Sequence, residues 1–161
     1  MKKRYFLTSL LPLAAILLTL FTATNGCSKD NQDMNPPQDT IVAYITQGNA
    51  TGAQLVPPLT TSATGKLTGT FYSDTRQWVF DVNWTGLSGA ATGFEMHGPA
   101  DVGMNAPLLF SLPPASDGVS GSITLSKEQA TDFLQGKYYF VVTTAAHPDG
   151  EIRGQVYPLK R

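Results

Sequence analysis

Two neighbouring segments, residues 64–72 and 77–84, alternate between side chains of different character along an extended chain. In the second segment one face carries Trp78, Phe80, Val82 and Trp84. Successive side chains of a β-strand point to opposite faces, so this period of two predicts a sheet with one buried face. Residues 73–76 read Ser-Asp-Thr-Arg and favour a turn. Together the two segments predict a β-hairpin.

Further short apolar or alternating segments predict more strands at residues 41–46, 92–97, 106–112, 119–125, 137–143 and 151–157. Residues 53–59 contain Pro57 and Pro58, which confine this segment to an edge strand or a bend. Ser126 and Gln129 fit the capping box of one short helix that Gly136 ends. About eight strands separated by turn residues are typical of a sandwich or a barrel. We predict an all-β, antiparallel, Greek-key-like sandwich with one short helix.

The beginning of the chain is typical of an export signal. Lys2, Lys3 and Arg4 precede an apolar stretch, and small or polar residues lead to the only Cys, Cys27. The stretch resembles a bacterial lipoprotein signal, in which that Cys is lipidated and becomes the new N-terminus. The resemblance implies a signal peptide at residues 1–26, a lipidated Cys27 (carrying palmitate or a similar acyl chain) with a polar tether at residues 27–40, and a folded domain at residues 41–158. A secreted protein with a free Cys27 is the alternative.

Composition excludes several classes of function. Only 14% of the residues are charged and the formal net charge is −1. The mature chain becomes more acidic still, because the basic residues before the apolar stretch leave with the signal. We therefore expect no nucleic-acid partner. A single Cys allows neither an intramolecular disulfide nor a Cys-rich zinc site. No nucleophile motif or phosphate-binding loop is present in the sequence, and we expect no enzymatic activity.

Three stretches resemble the CHRD domain, named after chordin and found in many secreted bacterial proteins. They are Gly52-Ala53-Gln54-Leu55-Val56-Pro57-Pro58, then Met96-His97-Gly98-Pro99-Ala100, then His147-Pro148-Asp149-Gly150-Glu151-Ile152-Arg153-Gly154-Gln155. The resemblance implies a domain of superoxide-dismutase-like or immunoglobulin-like architecture that binds other secreted proteins. We expect an exported, lipid-anchored, non-catalytic binding or structural module of the bacterial cell envelope, in the periplasm or on the outer membrane or cell surface.

A metal site is the alternative function. Glu95 and His97 lie two apart on a predicted strand and share a face, and His147 lies in a loop that can fold back near them. A carboxylate and two imidazoles suit Cu or Zn, as in a superoxide-dismutase-like metalloprotein. The family pattern is reduced here, since Glu95 and Thr143 stand where the family often has His. Our first expectation is no cofactor.

Two other pairs of residues carry predictions. Glu151 and Arg153 share one face of the last predicted strand and suggest a structural ion pair. Trp78 and Trp84 suggest either core packing or, as a third function, a carbohydrate surface. The alternation of the hairpin favours core packing.

Overall fold

The structure is a computed structural model that describes residues 42–161. The predicted signal peptide, Cys27 and the tether lie outside the described residues. No described helix combines the length and apolar character that a membrane span requires.

The described chain forms nine strands, one short α-helix and one 3-10 turn at Gly52–Gln54. The elements are β1 (Ala43–Thr51), β2 (Thr64–Tyr72), β3 (Gln77–Thr85), β4 (Ala91–His97), β5 (Leu108–Leu112), β6 (Gly118–Thr124), α1 (Lys127–Leu134), β7 (Tyr139–Thr144), β8 (Ile152–Gln155) and β9 (Tyr157–Lys160). The all-β class, the antiparallel pairing and the short helix are confirmed.

One continuous antiparallel sheet holds all nine strands. Its order is β5-β4-β7-β8-β1-β2-β3-β6, and β9 pairs with β1 beside β8. The sheet curls into a nearly closed barrel, which brings its two end strands, β5 and β6, close together. Gly121 of β6 lies so near Leu112 of β5 that a Cβ atom added to Gly121 would be 2.9 Å from Leu112 Cδ1. We expected a sandwich of two sheets. Instead, Ala50 and Thr51 of β1 pair with β8, and this pairing joins by hydrogen bonds two groups of strands that a sandwich would keep as separate sheets.

The predicted hairpin is present. β2 and β3 pair from Thr64 opposite Thr85 to Tyr72 opposite Gln77. Exposed and buried residues alternate along the whole of β3, with Trp78 fully buried. The inner face of the sheet therefore forms the hydrophobic core, as the period of two predicts.

One segment that the sequence left open is decided by the structure, and one strand was missed. Residues 53–59 were predicted as an edge strand or a bend, and the structure selects the bend: the chain makes the 3-10 turn there and then an irregular segment, because Pro57 and Pro58 lack the N–H groups that a strand needs. The final strand β9, which contains Pro158, was not predicted. It pairs with β1 through Tyr44–Gln47, in agreement with the preference of proline for edge positions.

Helix α1 begins at the predicted capping box. The Ser126 hydroxyl accepts from Gln129 N, and the Gln129 side chain accepts from Ser126 N. Its Phe133 is fully buried and packs against Trp78 and Phe71, with ring centroids 4.6 and 5.2 Å apart. The helix therefore adds its apolar side to the same core.

Strands β7 and β8 differ from the rest of the sheet because every residue in both is buried. Their inner residues, Phe140, Val142 and Ile152, belong to the core. Their outer face must therefore be covered by something else, and that cover defines the candidate site.

Candidate functional site

A loop covers the outer face of β7 and β8. We call residues 98–107, between β4 and β5, the covering loop. Gln155 Nε2 donates to Gly136 O at 2.7 Å and to Ala100 O at 3.4 Å. Ala106 N donates to the Tyr139 hydroxyl at 2.9 Å. Side chains of β7 and β8 thus hold the loop mainly by its backbone, so many loop sequences are compatible with this contact.

Arg153 lies at the centre of this covered face. Only 2% of the residue is exposed, its Cζ lies 3.6 Å from the centroid of the Tyr139 ring, and its Nη2 donates to Met104 O at 2.7 Å. Its Nη1 is buried without a hydrogen-bond partner. Burial lowers the pKa of the guanidinium from its ordinary value, and the phenol of Tyr139 opposes that effect. The charge is stacked on an aromatic ring rather than neutralised by a carboxylate.

Glu95 and His97 lie on β4, separated from Arg153 of β8 by strand β7. His97 Nε2 is 3.1 Å from Glu95 Oε2, and this is the one salt-bridge contact within residues 42–161. The other ring nitrogen, Nδ1, lies 3.1 Å from Ala106 O and can donate to it. The imidazole also stacks on Tyr139, with centroids 5.1 Å apart and planes at 7°. Glu95 and His97 therefore share a face of one strand, as the sequence predicts, and contact each other there.

His147 does not join this pair. His97 pairs with Tyr139 at one end of β7, whereas His147 follows Thr144 at the other end. Seven residues of β4 separate the two ends, about 20 Å at the rise of a strand. No group of three His, Cys, Asp or Glu side chains within the described part of the chain can hold a metal ion. The predicted ligand set Glu95, His97 and His147 is therefore not assembled.

Glu151 and Arg153 do not pair with each other. Glu151 lies just before β8, fully buried, and its carboxylate accepts from Ser88 N at 2.8 Å, Ser88 Oγ at 2.7 Å, Thr144 Oγ1 at 2.8 Å and Thr61 Oγ1 at 3.3 Å. Burial alone raises the pKa of Glu151, but these hydrogen bonds outweigh burial and lower it. The expectation of an ion pair is corrected. Neutral donors satisfy the Glu151 carboxylate, and the Arg153 guanidinium stacks on the ring of Tyr139.

The tryptophans belong to the core. Trp78 is fully buried and its Nε1 donates to Thr46 Oγ1 at 3.0 Å, while Trp84 is 7% exposed. Side chains in these positions cannot offer a flat aromatic surface to a sugar ring. Of the two readings that the sequence left open for this pair, the structure selects core packing.

Sequence reasoning missed Tyr139 and the covering loop. A signal was available, because residues 138–142 read Tyr-Tyr-Phe-Val-Val without alternation. A continuous apolar run indicates a strand buried on both faces, and such a strand needs a second cover. The alternation of the hairpin predicts burial of the inner face of the sheet only.

The fold and the site define a small all-β domain with a nearly closed sheet, whose outer polar cluster of Arg153, Tyr139 and His97 lies under a loop. The family model described as CHRD domain matches residues 46–156, so the chain belongs to the CHRD-domain family. No curated protein matches the chain. No solved structure matches it either, so the expected likeness to superoxide dismutase or immunoglobulin folds has no support from comparison.

Proposed function

We propose that this protein is an exported, lipid-anchored CHRD-domain protein of the bacterial cell envelope that acts by binding another extracellular or envelope protein. Membership of the CHRD family supports a non-catalytic binding module. The basic and apolar residues before Cys27 support export and lipidation. Two or more acyl chains on one residue hold a protein stably on a bilayer, whereas one chain does not.

The observation that carries the binding role is an exposed apolar strip, which we define as Ile45, Val102, Tyr157 and Leu159. Their exposed fractions are 44%, 65%, 47% and 49%. Ile45 and Leu159 are directly opposite each other on β1 and β9, so their side chains share a face. Tyr157 lies two residues before Leu159 on that face, and Val102 of the covering loop lines one pocket together with Tyr157.

A strip of this kind suits a protein partner. Exposed apolar side chains that adjoin one another mark interaction sites more often than single ones do. Tyrosine is enriched among the residues that dominate binding energy, because its ring offers a large apolar area and its hydroxyl a hydrogen bond. Gln47 and Gln54 line the same pocket and supply a polar rim.

The test is capture of an envelope partner by the full-length protein, followed by affinity measurement with variants. Tyr157→Asp places a charge in the strip, and we expect it to weaken binding of the captured partner at least about tenfold. Leu108→Asp is the matched control, because Leu108 is 52% exposed but lies on β5, at one end of the sheet. Equal affinity of Tyr157→Asp and the unaltered protein, with both folded by circular dichroism, would contradict the strip as the binding surface.

A further inference from the structure

The guanidinium of Arg153 has more hydrogen-bonding capacity than its surroundings use. Arginine carries five N–H donors and no acceptor. Nη2 donates to Met104 O, but Nη1 is buried and has no partner. In the sheet register Val141 stands between Arg153 and Glu95, and the Glu95 carboxylate contacts His97. Within residues 42–161 no carboxylate lies within ion-pair distance of the guanidinium.

Burying the Arg153 guanidinium without a counter-charge lowers the stability of the fold. A buried donor without a partner loses its hydration and gains nothing in return, and a buried charge without a counter-charge loses more. The Tyr139 ring offsets part of this cost through a cation–π contact. The Tyr139 ring leaves Nη1 without a partner. The planar fork of a guanidinium suits an anion that offers two oxygens side by side, and a carboxylate is the anion of this kind that an unmodified polypeptide carries.

Few contacts hold the covering loop at this point. Residues 101–105 are all exposed, and Gly103 adopts a φ of +82°, which favours glycine. Beyond the turn bond from Met104 N to Asp101 O, these residues are held by Arg153 through Met104 O and by Asn105 Nδ2, which donates to Val56 O. Few contacts therefore oppose the outward movement of the segment above the guanidinium.

We propose that Arg153 is the anion-binding residue of a carboxylate site for which residues 101–105 form the lid. When the lid opens, a carboxylate replaces the Met104 carbonyl on Nη2 and accepts from Nη1 as well. The carboxylate comes from an acidic side chain or chain terminus of a bound polypeptide. This last point rests on the proposed function, because Val102 belongs both to the lid and to the apolar strip.

The probe is acetate, with acetamide as the neutral analogue of similar shape, added to the full-length protein in detergent at constant ionic strength. We expect saturable chemical-shift changes at the Arg153 side chain and the Gly103 amide with acetate and none with acetamide. Arg153→Lys keeps the charge but loses the planar fork, and we expect acetate binding to weaken at least about tenfold. Equal responses to acetate and acetamide, or none to either, would show that the site does not select an anion and would overturn the proposal.

A second variant keeps the test decisive if Arg153→Lys does not fold. Tyr139→Phe retains the ring under the guanidinium but removes the hydroxyl that accepts from Ala106 N and so fixes the residue directly after the lid. The lid then opens more easily, and we expect acetate to bind about fivefold more tightly, the equivalent of one hydrogen bond. Unchanged or weaker acetate binding by a folded Tyr139→Phe would overturn the role of the lid.

A peptide of consecutive glutamates tests whether the site prefers a carboxylate on a polypeptide to a small free carboxylate. Arg153-dependent binding at least tenfold tighter than that of acetate supports a polypeptide ligand, and affinity equal to that of acetate overturns it. The two proposals can fail separately. Acetate binding without capture of a partner contradicts the proposed function, and partner capture that is indifferent to Tyr139→Phe and to acetate contradicts this inference.

Discussion

The Cζ atom of Arg153 lies 3.6 Å from the centroid of the Tyr139 ring, and this contact joins β8 to β7 beneath the covering loop. The ring lies against the charge where a carboxylate was expected. It also stacks against His97 of β4, so one aromatic side chain connects the outer faces of three adjacent strands. The polar cluster is therefore organised around Tyr139.

Arg153→Lys should destabilise the fold by about 1–3 kcal/mol, because an ammonium group cannot stack flat on Tyr139 while it reaches Met104 O. Urea unfolding followed by tryptophan fluorescence measures the change. Arg161→Lys is the control, since Arg161 is exposed at the end of the chain, and it should change stability by less than about 0.5 kcal/mol. Similar results for the two variants would show that the stack contributes little.

Glu151→Gln should cost about 2–3 kcal/mol, because the new amide group faces donors from Ser88 and Thr144 and leaves buried groups unsatisfied. Thermal and urea unfolding both report this loss. Glu128→Gln, at an exposed position in the first turn of α1, should cost under about 1 kcal/mol. Equal stability of Glu151→Gln and Glu128→Gln would show that a neutral amide at position 151 satisfies the Ser88 and Thr144 donors as well as the carboxylate does.

The contribution of Glu151 should also depend on pH. Its pKa is lowered in the folded state, so its ionised form stabilises the fold fully above the ordinary glutamate value of about 4.3. That stability is lost as the pH falls through the lowered folded-state pKa. The difference in unfolding free energy between the unaltered protein and Glu151→Gln should therefore shrink with acidification. A difference that stays constant or grows from pH 7 to pH 2 would contradict the lowered pKa.

The copper or zinc alternative leads to a direct measurement. Glu95 and His97 supply two ligands, and His147 lies at the far end of β7, so we expect the purified full-length protein to retain less than stoichiometric copper or zinc after dialysis. Elemental analysis by mass spectrometry measures it. Stoichiometric metal that disappears in His97→Ala but persists in His147→Ala would show that a site forms without His147 and would restore the metalloprotein hypothesis.

If Cys27 carries the proposed lipid, Cys27→Ser should release the protein from the membrane fraction or leave it unprocessed, because serine lacks the sulfur to which the lipid would be attached. Fractionation and intact mass measurement check this outcome. Ser28→Ala is the neighbouring control. It should leave the localisation of the protein unchanged, as well as the mass that processing removes and the lipid adds. Full membrane retention of a processed Cys27→Ser protein would show that another feature anchors the chain.

Local rules explain the parts of the fold that were predicted well. The β2–β3 hairpin follows from alternation, since side chains on one face of a strand share one environment whatever lies further away. The helix at Lys127–Leu134 follows from Ser126 and Gln129, which satisfy each other's backbone groups within four residues. The pair Pro57 and Pro58 predicted an edge strand or a bend, and the bend is present.

The predictions that failed depended on distances between segments that lie far apart along the chain. His147 and His97 are compatible with one site in the sequence, and only the register of β4 with β7 places them at opposite ends. Likewise, spacing put Glu151 and Arg153 on one face, but Ser88 and Thr61 arrive from remote loops and take the carboxylate.

The sequence by itself determined the strand periods and the capped helix, because each depends on residues within one short stretch. It also determined the family, through motifs that each occupy a few consecutive residues, and it is the basis of the export signal that we propose. Only the tertiary structure decided that the sheet curls into one nearly closed layer and that a loop covers β7 and β8. It also decided that the Arg153 guanidinium stacks on Tyr139 and has no carboxylate partner within residues 42–161. Those outcomes depend on which surfaces meet when the chain closes, and hydrogen bonding and burial between distant segments select them.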